Sequence, residues 1–357
     1  MTRVRVLHVN DVAGVAGAAV QQAVASGLDW ALWPLPAVRG APVPVKAYRR
    51  ARDLVRFHPA GRAADVLHVH YGLFGYYAWS VRRPYLLHLH GTDLRDNLAS
   101  PLLRPLVRRA IRRAGAVAYS TPDMADATRA LRPDAVWLPA PLPLELCVAG
   151  DGGPARATDD GTERDPEGGA AGEAGTVPGD PVAGTVTGQP ARPRTVVFAS
   201  RWDPVKGLAV LLQTADQLRR DLPGADLVGV DWGTGAADAR RAGVRLVPLM
   251  PAPAFRRMLA GADVVVGQQS SGSLGVAELE AMALGRPLVA RFTHRDAYGE
   301  DAPLWNTVAM SPSAAVAQVL ADPPEAVVRA GRGRDWALRH HGPQQFVRRC
   351  LELYQGL

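Results

Sequence analysis

An arginine and a lysine stand five positions apart where a short apolar run meets a helical pattern. The run 195–199 predicts a buried strand, and Arg201 and Lys206 follow it just before a helix predicted over 207–220. Cationic side chains beside the free N–H groups of a helix N-terminus suit an anion, most simply a diphosphate. A solvated charged turn is the commoner meaning of such a pair. Composition favours the anion site, because only Lys46 and Lys206 among the 41 basic residues are lysines, and ammonium and guanidinium groups are not interchangeable.

A glycine-rich turn over residues 271–275 leads into a second candidate helix, predicted over 277–283, that carries two carboxylates. Glu278 and Glu280 are two residues apart, and side chains at that spacing point in different directions on a helix. At most one of them therefore faces a shared ligand. Glu280 lies deeper in the helix among apolar residues and is the better candidate for binding ligand hydroxyls. Glu278 is interpreted as a solvated acid or as one favoured by the helix dipole.

Four histidines mark the ends of two predicted strands in the first half of the chain. His68 and His70 close the run 66–70, and His88 and His90 close the run 85–90. Alternation along a strand predicts that His68 and His70 share one face and that His88 and His90 share another. We expect His68 and His88 to be core residues bonded to backbone groups, and His70 or His90 to reach a cleft. No orienting carboxylate and no metalloenzyme motif accompanies these rings, so the sequence does not predict zinc.

Small residues follow the first predicted strand, 4–9, in the loop 10–17, which opens a helix. Gly14 and Gly17 would let the backbone approach a ligand closely. A packing turn explains the same glycines equally well, so the loop alone is weak evidence for a binding site.

Short apolar runs alternate with helical patterns in both halves of the chain. The predicted first-half strands are 4–9, 66–70, 85–90, 116–120 and 135–138, with helices over 17–26, 46–57, 101–114 and 122–131. The second half adds strands over 195–199, 226–230, 244–248, 264–267 and 287–290, with helices over 207–220, 253–259 and 277–283. This alternation predicts an α/β fold with a doubly wound parallel sheet in each of two lobes. Ligands then bind beyond the carboxyl ends of the strands, in the cleft between the lobes.

A stretch rich in glycine, proline and acidic residues divides the chain. We predict a first domain over 1–146, a flexible linker over 147–194, a second domain over 195–335 and a C-terminal helix within 336–357. Two cysteines, Cys147 and Cys350, are too few for a disulfide framework, which favours a reducing cytoplasm. No apolar run approaches the length of a membrane span, and we expect no export signal in the N-terminal segment.

The first domain carries a net charge of +9, and many of its arginines fall on predicted helices. The basic residues of the helix predicted over 101–114 are Arg104, Arg108, Arg109, Arg112 and Arg113. Solvated helix faces explain these arginines as well as the functional alternative does, which is peripheral contact with an anionic membrane surface at the inner face. Nucleic acid is a weaker alternative, because no aromatic residues are interleaved with the arginines.

The segments 201–207 and 272–287 resemble two signatures of the retaining glycosyltransferases of family 4, which have the GT-B fold of two Rossmann-like domains facing a cleft. The resemblance covers nearly the whole chain outside the linker. It implies that Arg201 and Lys206 bind the diphosphate of a sugar nucleotide and that Glu280 holds the ribose. The family carries another glutamate eight positions before this one, in contact with the transferred sugar, and here that residue is Gly272. We expect the replacement to change the preference for the donor sugar.

The same resemblance implies roles for the remaining candidate residues. The predicted donor-binding set is Gly207, Gly272, Ser273, Leu274, Gly275 and Glu280. The predicted set beside the acceptor and the phosphate is Gly14, Gly17, His70 and Asp93. The segment 90–93 resembles the His-Gly-x-Asp segment of the family, in which the histidine faces the reacting sugar, so His90 joins Arg201 and Lys206 as a predicted catalytic residue. The C-terminal helix is expected to cross back onto the first domain.

These observations favour a cytoplasmic glycosyltransferase that moves a sugar from a nucleoside-diphosphate sugar to an acceptor hydroxyl, with retention and with neither a metal nor another cofactor. No Asp-x-Asp pair stands beside a predicted strand end in the two lobes, so cationic side chains take the place of a divalent ion. The alternative is a catalytically silent sugar-nucleotide-binding or scaffold protein, which the missing carboxylate at position 272 would suit. A sugar-nucleotide epimerase is a third possibility that the Arg201–Lys206 pair disfavours. The acceptor stays open among lipid-linked, polysaccharide and small-metabolite hydroxyls.

Overall fold

The computed structural model describes residues 4–35, 42–148 and 193–357, which form two lobes with one parallel sheet each. The sheet of the first lobe has the strand order β2-β1-β3-β4-β5-β6. Its strands are β1 (Val6–Val9), β2 (Trp30–Trp33), β3 (Val66–His70), β4 (Tyr85–Leu89), β5 (Ala116–Tyr119) and β6 (Val136–Trp137). The central strands β1, β3 and β4 are buried along their whole length, as strands covered by helices on both faces must be.

Helices cover both faces of this sheet. They are α1 (Val15–Ala25), α2 (Val43–Ala63), α3 (Gly75–Val81), α4 (Arg104–Arg113) and α5 (Ala125–Arg129). The next helix, α6 (Leu144–Val148), instead buries Leu146 in a core cluster of the second lobe. On one face, α2, α3 and α4 bury Phe57, Tyr77 and Val107 in a single cluster with strand residues. On the other face, α1 buries Val15 and Ala19. The basic helix α4 thus uses its apolar side for the core of the first lobe.

The second lobe repeats the scheme with the strand order β12-β11-β10-β7-β8-β9, again parallel throughout. Its strands are β7 (Thr195–Phe198), β8 (Asp226–Val230), β9 (Arg245–Val247), β10 (Val264–Val266), β11 (Leu288–Ala290) and β12 (Trp305–Asn306). Its helices are α7 (Leu208–Asp221), α8 (Ala236–Arg241), α9 (Ala252–Ala260), α10 (Val276–Ala283), α11 (Arg295–Tyr298) and α12 (Pro312–Ala321). The prediction of a doubly wound parallel sheet in each lobe is therefore confirmed.

Several elements differ from the sequence prediction. The prediction lacked the strands β2 and β12 and the helices α3, α6, α8, α11 and α12. It also gave α2 only part of its length, since this helix runs from Val43 to Ala63. The strands β2 and β12 are only four and two residues long and lie at the sheet edges, so each is too short for its periodicity to identify it as a strand. Residues 149–192 of the predicted linker lie outside the described residues.

The end of the chain forms two helices where the sequence analysis predicted one. They are α13 (Pro323–His341) and α14 (Pro343–Tyr354), separated by Gly342 at a position where proline begins the second helix. From α14, Phe346 and Tyr354 join the cluster that contains Val15 of α1, so this helix packs on the first lobe. No described helix is both long enough and apolar enough to cross a membrane.

Candidate active site

A cavity of about 370 Å³ lies between the lobes, beyond the carboxyl ends of β7, β8 and β9. Ligands of parallel α/β sheets bind at such positions because loops and helix N-termini converge there. The first lobe contributes Ala13 and Gly14 to its wall. The second lobe contributes Ala199, Ser200, Arg201, Val230, Trp232, Leu249, Met250, Ala252, Phe255, Val276, Ala277 and Glu280. We call this space the main cavity.

The two cations that the sequence singled out stand on one turn after β7. The Arg201 guanidinium lies 5.1 Å from the ring centroid of Trp232, and its Nε lies 3.4 Å from Asp203 Oδ2. Lys206 is half-buried, and within the described part of the chain its side chain makes no hydrogen bond or ion pair. A Cβ built on Gly275 would lie 3.8 Å from Lys206 Nζ, so the ammonium stands beside the N-terminus of α10. The pair therefore offers one oriented guanidinium and one uncommitted ammonium.

Gly207 fixes the turn that carries Lys206. Its φ is +83°, which favours glycine, and a Cβ there would lie 3.0 Å from the backbone carbon of Gln269. The Gln269 N–H donates to the Lys206 carbonyl over 3.0 Å. Gly207 thus holds the turn against the loop before α10 and does not line the main cavity.

Glu278 is a buried anchor, so its interpretation as a solvated acid is wrong. Its side chain is only 3% exposed. Oε1 accepts from the Gln268 N–H at 2.8 Å and from the Ser200 hydroxyl at 3.3 Å, and Oε2 accepts from the Gly275 N–H at 3.0 Å. One carboxylate therefore ties the ends of β7 and β10 to the first turn of α10. Glu278 shapes the site without facing the cavity.

Glu280 reaches the main cavity, as the sequence predicts for an inward carboxylate. It is buried, and Arg256 Nε donates to its Oε1 at 2.8 Å. Arg256 also pairs with Glu145, which comes from the segment that leaves the first lobe. Burial raises the pKa of Glu280, and Arg256 opposes that rise. The site thus holds a carboxylate oriented from behind by an arginine that the sequence analysis did not identify.

Gly272 occupies a backbone position that excludes the glutamate of the family pattern. Its φ is +72°, and a Cβ there would collide with Thr293 Oγ1 and lie 3.1 Å from Thr293 Cβ. Gly272 lines neither of the cavities described at this site. A glutamate at this position therefore needs a rearranged loop.

Gly272→Ala is expected to destabilise the protein more than a matched glycine substitution. Gly285 has a similar φ of +64° but has no atom within 4 Å of a built Cβ, so Gly285→Ala carries only the backbone strain of about 1–2 kcal/mol. Gly272→Ala adds the collision with Thr293, worth about 1–3 kcal/mol more. Urea unfolding of the two variants measures the difference in their free energies of unfolding. An equal loss of unfolding free energy in both would show that the loop moves to accommodate the Cβ at position 272 at no cost.

A smaller cavity of about 60 Å³ adjoins the main one, because Ala13 and Val276 line both. Its wall includes His90 from the first lobe and Leu274, Gly275 and His341 from the second. Ser273 lies elsewhere, since its Oγ accepts from the Asp123 N–H of the first lobe at 3.3 Å. Of the predicted donor-binding set, only Glu280 therefore lines the main cavity, while Leu274 and Gly275 line the smaller one.

The glycines of the loop 10–17 have different positions. Gly14 has a φ of +80° and lines the main cavity. Gly17 lies inside α1, where a Cβ would come 3.1 Å from Asp11 Oδ2, and it reaches neither cavity. Asp11 accepts from the Ala16 N–H at 3.0 Å and so closes the first turn of α1. The prediction of a ligand contact is consistent with the position of Gly14 but not with that of Gly17.

The strand-end histidines form one cluster, so the prediction of two faces is wrong. Parallel register pairs His70 with His88, which places side chains of β3 and β4 on the same face. His68 bonds through Nδ1 to the Tyr354 hydroxyl at 2.7 Å, not to backbone. His70 is fully buried and does not reach the cleft. His90 is half-buried and lines the smaller cavity, but both of its ring nitrogens are bonded within the protein.

Asp93 is buried under backbone groups and does not face a ligand. Its carboxylate accepts from the N–H groups of Gly72, His90 and Gly91 at 2.9–3.2 Å. Burial raises the pKa of Asp93 to about 6, against the lowering effect of these bonds. Asp93 therefore holds the ends of β3 and β4 together beneath the site.

The sequence analysis missed the apolar wall of the main cavity. Trp232 follows β8, Leu249 and Met250 follow β9, and Phe255 lies in α9. The first three could have been found, because residues just after parallel strands converge at the cleft. Phe255 gives no such signal. These side chains offer an apolar surface beside the cations, which suits a flat ring joined to a charged group.

The fold and the site define a class: two Rossmann-like lobes with a cleft between them that Arg201 and Glu280 line. Comparison with family models agrees, since residues 3–139 match the glycosyl transferase 4-like domain and residues 193–322 match the glycosyl transferases group 1 domain. Together the two matches cover most of the chain. The chain therefore belongs to the GT-B glycosyltransferases that combine these two domains.

Individual relatives are more distant. The chain is 31% identical over 126 residues to a D-inositol 3-phosphate glycosyltransferase of Segniliparus rotundus, a match covering 32% of this chain and 28% of that relative. Two solved structures share the fold over nearly their whole length. Sucrose-phosphate synthase from Thermosynechococcus elongatus has a TM-score of 0.64 at 16% identity, covering 98% of each chain. Anabaena HepE in complex with UDP-glucose has a TM-score of 0.64 at 15% identity, covering 99% of this chain and all of the other.

Proposed function

We propose that the chain transfers a sugar from a nucleoside-diphosphate sugar to an acceptor hydroxyl, with retention of configuration and without a divalent metal. The observation that carries this proposal is that Arg201 after β7 and the buried Glu280 line one interlobe cavity. Lys206 lines neither cavity, but its ammonium stands close by, at the N-terminus of α10. Two cations and a helix N-terminus match a diphosphate, and an oriented carboxylate matches vicinal hydroxyls.

The donor occupies the main cavity in a defined direction. Its base lies against Leu249, Met250 and Phe255, its ribose hydroxyls donate to Glu280, and its diphosphate lies between Arg201 and Lys206. The transferred sugar then points toward the smaller cavity and His90. Because both nitrogens of His90 are bonded to Ser120 and His70, this ring borders the sugar through its carbon atoms.

The chemistry follows from where charge develops. As the bond between sugar and phosphate breaks, negative charge grows on the leaving diphosphate, and Arg201 and Lys206 stabilise it. The acceptor hydroxyl attacks from the same face and gives its proton to that phosphate. Among the described residues, the wall of the main cavity carries one carboxylate, Glu280, which Arg256 already neutralises. Such a wall suits cationic side chains as the counter-charge in place of Mg²⁺, which prefers carboxylates. Turnover is therefore expected to withstand EDTA.

A donor panel tests the proposal against the silent-binding alternative. UDP-glucose heads the panel, because it is the ligand of the Anabaena HepE structure. D-inositol 3-phosphate heads the acceptors, because the Segniliparus relative is named for it. Mass spectrometry of the products is expected to show free nucleoside diphosphate and a glycosylated acceptor for at least one pair. Nucleotide binding without release of diphosphate from any donor would favour a scaffold protein instead.

The choice of donor sugar is a separate part of the proposal. Gly272 replaces the glutamate that contacts the transferred sugar in the family, and the neighbouring Gln268 is committed to the loop through its bonds to Ser270, Ser271 and Ser273. We expect a donor preference unlike that of relatives with the glutamate. The ranking of sugars in the donor panel measures it.

Peripheral contact with an anionic membrane from the cytoplasmic side is the proposed role of the basic helices. The arginines at 108, 109, 112 and 113 of α4 are exposed, and α2 exposes Val43, Tyr48 and Val55 beside Arg52. Basic and apolar groups on one layer suit such a surface, at about 1 kcal/mol for each basic residue. The double variant Arg108→Glu, Arg112→Glu should sediment less with anionic vesicles. Equal binding of the wild type to neutral vesicles would contradict this role.

A further inference from the structure

Five histidine rings meet at the carboxyl end of the first sheet, and the proposed function uses only one of them. They are His8 of β1, His68 and His70 of β3, His88 of β4, and His90 just after β4. The first four are fully buried. Parallel register explains the cluster, because it pairs His8 with His68 and His70 with His88.

Three of these rings are bonded edge to edge in one row. His8 Nδ1 lies 3.0 Å from His70 Nε2, and His70 Nδ1 lies 3.1 Å from His90 Nε2. The ring centroids of these pairs lie 5.2 and 5.3 Å apart, with 26° and 25° between the ring planes. In each pair the distance between the centroids is longer than the distance between the bonded nitrogens by about two ring radii. The two bonded nitrogens therefore lie nearly on the line that joins the centroids, and the rings meet edge to edge with nearly parallel planes. We call His8, His70, His90 and Ser120 the histidine row.

Ser120 determines where the hydrogens of the row lie. Its Oγ has three polar neighbours: the Leu89 carbonyl oxygen at 2.8 Å, His90 Nδ1 at 2.9 Å and His88 Nε2 at 3.3 Å. Only the carbonyl can carry no hydrogen of its own, so the single hydroxyl hydrogen is donated there. The hydroxyl has no second hydrogen for His90, so in the 2.9 Å contact His90 Nδ1–H donates to Ser120 Oγ. A neutral imidazole carries one N–H, so His90 Nε2 accepts from His70 Nδ1–H. By the same step, His70 Nε2 accepts from His8 Nδ1–H.

We infer that Ser120, His70 and His8 are positioning residues that hold His90 as a neutral imidazole protonated on Nδ1. Adding a proton to Nε2 of His70 or His90 would set two N–H donors against each other in a buried contact. His90 therefore keeps one orientation, one tautomer and no charge, although it borders a cavity. The consequence of this fixed tautomer for catalysis rests on the proposed function. In the transfer reaction, the His90 ring offers the donor sugar no N–H group and takes no proton from the acceptor.

The same distances disfavour a metal ion within the row. Zinc binds imidazole nitrogens at about 2.0–2.1 Å, so an ion between two nitrogens in line would need them about 4 Å apart. The row ends at His8 Nε2, which is buried and has no hydrogen-bond partner among the described residues. Because His8 Nε2 is a nitrogen that could bind a metal ion, the test includes a titration with Zn²⁺.

Imidazole ¹⁵N–¹H long-range correlation NMR of the substrate-free protein tests the inference. The protein is labelled with ¹⁵N-histidine, and single substitutions assign the rings. The spectrum is expected to show His8, His70 and His90 with the hydrogen on Nδ1, the opposite of the tautomer that free histidine prefers. Observation of His90 protonated on Nε2, or on both nitrogens, at neutral pH would overturn the inference. So would a stoichiometric shift of the three rings on addition of Zn²⁺.

Matched variants separate positioning from packing. Asparagine places its amide nitrogen near the position of Nδ1, so His70→Asn keeps a donor toward His90 and should preserve its Nδ1–H signal. His70→Leu and Ser120→Ala remove a partner and should lose that signal to a mixture of tautomers. His68→Asn changes a buried ring that stacks on His70 with its centroid 4.3 Å away but is hydrogen-bonded to Tyr354 and not to the row. A packing effect alone would disturb His90 in this variant too, whereas positioning by hydrogen bonds leaves its Nδ1–H signal unaltered. Retention of the Nδ1–H signal in both His70→Leu and Ser120→Ala would contradict the inference.

These NMR readouts need neither donor nor acceptor. A failure of the donor panel therefore leaves the inference about His90 standing, and loss of the predicted tautomer leaves the proposed transfer reaction standing.

Discussion

Lys206→Ala is expected to lower kcat for donor turnover by about 10²–10³-fold, the effect of removing one preorganised donor from a developing negative charge. The loss should be this large because the ammonium is half-buried and, within the described residues, not neutralised by a carboxylate. The KM for the donor should change much less than kcat, since charge on the leaving phosphate grows in the transition state. Steady-state kinetics on the preferred donor measures both constants.

The second lysine of the chain supplies the control. Lys46 lies on α2 of the first lobe and not on the turn after β7 that carries Lys206, so Lys46→Ala should leave kcat unchanged. Lys206→Arg should fall between the wild type and Lys206→Ala, because a guanidinium keeps the charge but not its compact position beside Gly275. A fully active Lys206→Arg enzyme would show that the retention of this lysine among 39 arginines has no catalytic meaning.

The protein is expected to unfold steeply in mild acid. Burial lowers the pKa of five fully or almost fully buried histidines, to about 3 for His8 and His88 and to about 4 for His341. The other two are His68 and His70, whose pKa values lie well below the ordinary range. On unfolding, each regains a pKa of about 6.5, so below that pH the unfolded chain binds more protons. Stability is therefore fully present above pH 6.5 and is lost as the pH falls toward the folded pKa values.

The expected loss is about 1.4 kcal/mol per histidine for each pH unit below 6.5, or about 7 kcal/mol for the five together. Domains have about 5–15 kcal/mol in all, so unfolding is expected near pH 5. Burial also raises the pKa values of three carboxyls, Asp93 to about 6 and Asp11 and Glu280 above their ordinary range, and these act in the opposite direction but are fewer than the histidines. Urea unfolding between pH 5.5 and 7.5 gives the slope, and His8→Asn should reduce it by about one fifth. A slope near zero would contradict the burial of neutral histidines.

The sequence was sufficient to predict the fold because both sheets have buried central strands. Fully apolar runs such as Val264–Val266, set between helical patterns, can hardly be anything else in a chain of this length. The edge strand Trp30–Trp33 was missed because a run of four apolar residues is too short to distinguish a strand from a loop. The division of the C-terminal helix was missed because Pro343 is acceptable at a helix start, and periodicity continues across Gly342.

The functional residues that could be predicted from the sequence are those close to the end of a strand or the start of a helix. Arg201 and Glu280 reach the main cavity because strand β7 ends and helix α10 begins at the cleft. Arg256 and Glu278 act through partners far away in sequence, and no local pattern reveals that Arg256 pairs with Glu280 or that Glu278 ties two strand ends. The collision of Gly272 with Thr293 is equally invisible from the sequence.

The histidines show the limit of strand periodicity. A period of two correctly places His68 beside His70, but it cannot say which face the next strand presents. That depends on register, and the pairing of His70 with His88 brings both strands' rings together with His8. One face of the sheet thus contains a row of bonded imidazoles that two separate pairs of histidines would never suggest.

A crystal structure of the protein with the nucleoside diphosphate of its preferred donor tests the central claim most directly. The claim predicts diphosphate oxygens within hydrogen-bond distance of both the Arg201 guanidinium and Lys206 Nζ, ribose hydroxyls on Glu280, and the base against Phe255. A diphosphate bound elsewhere in the cleft, with Lys206 still uncommitted, would contradict it.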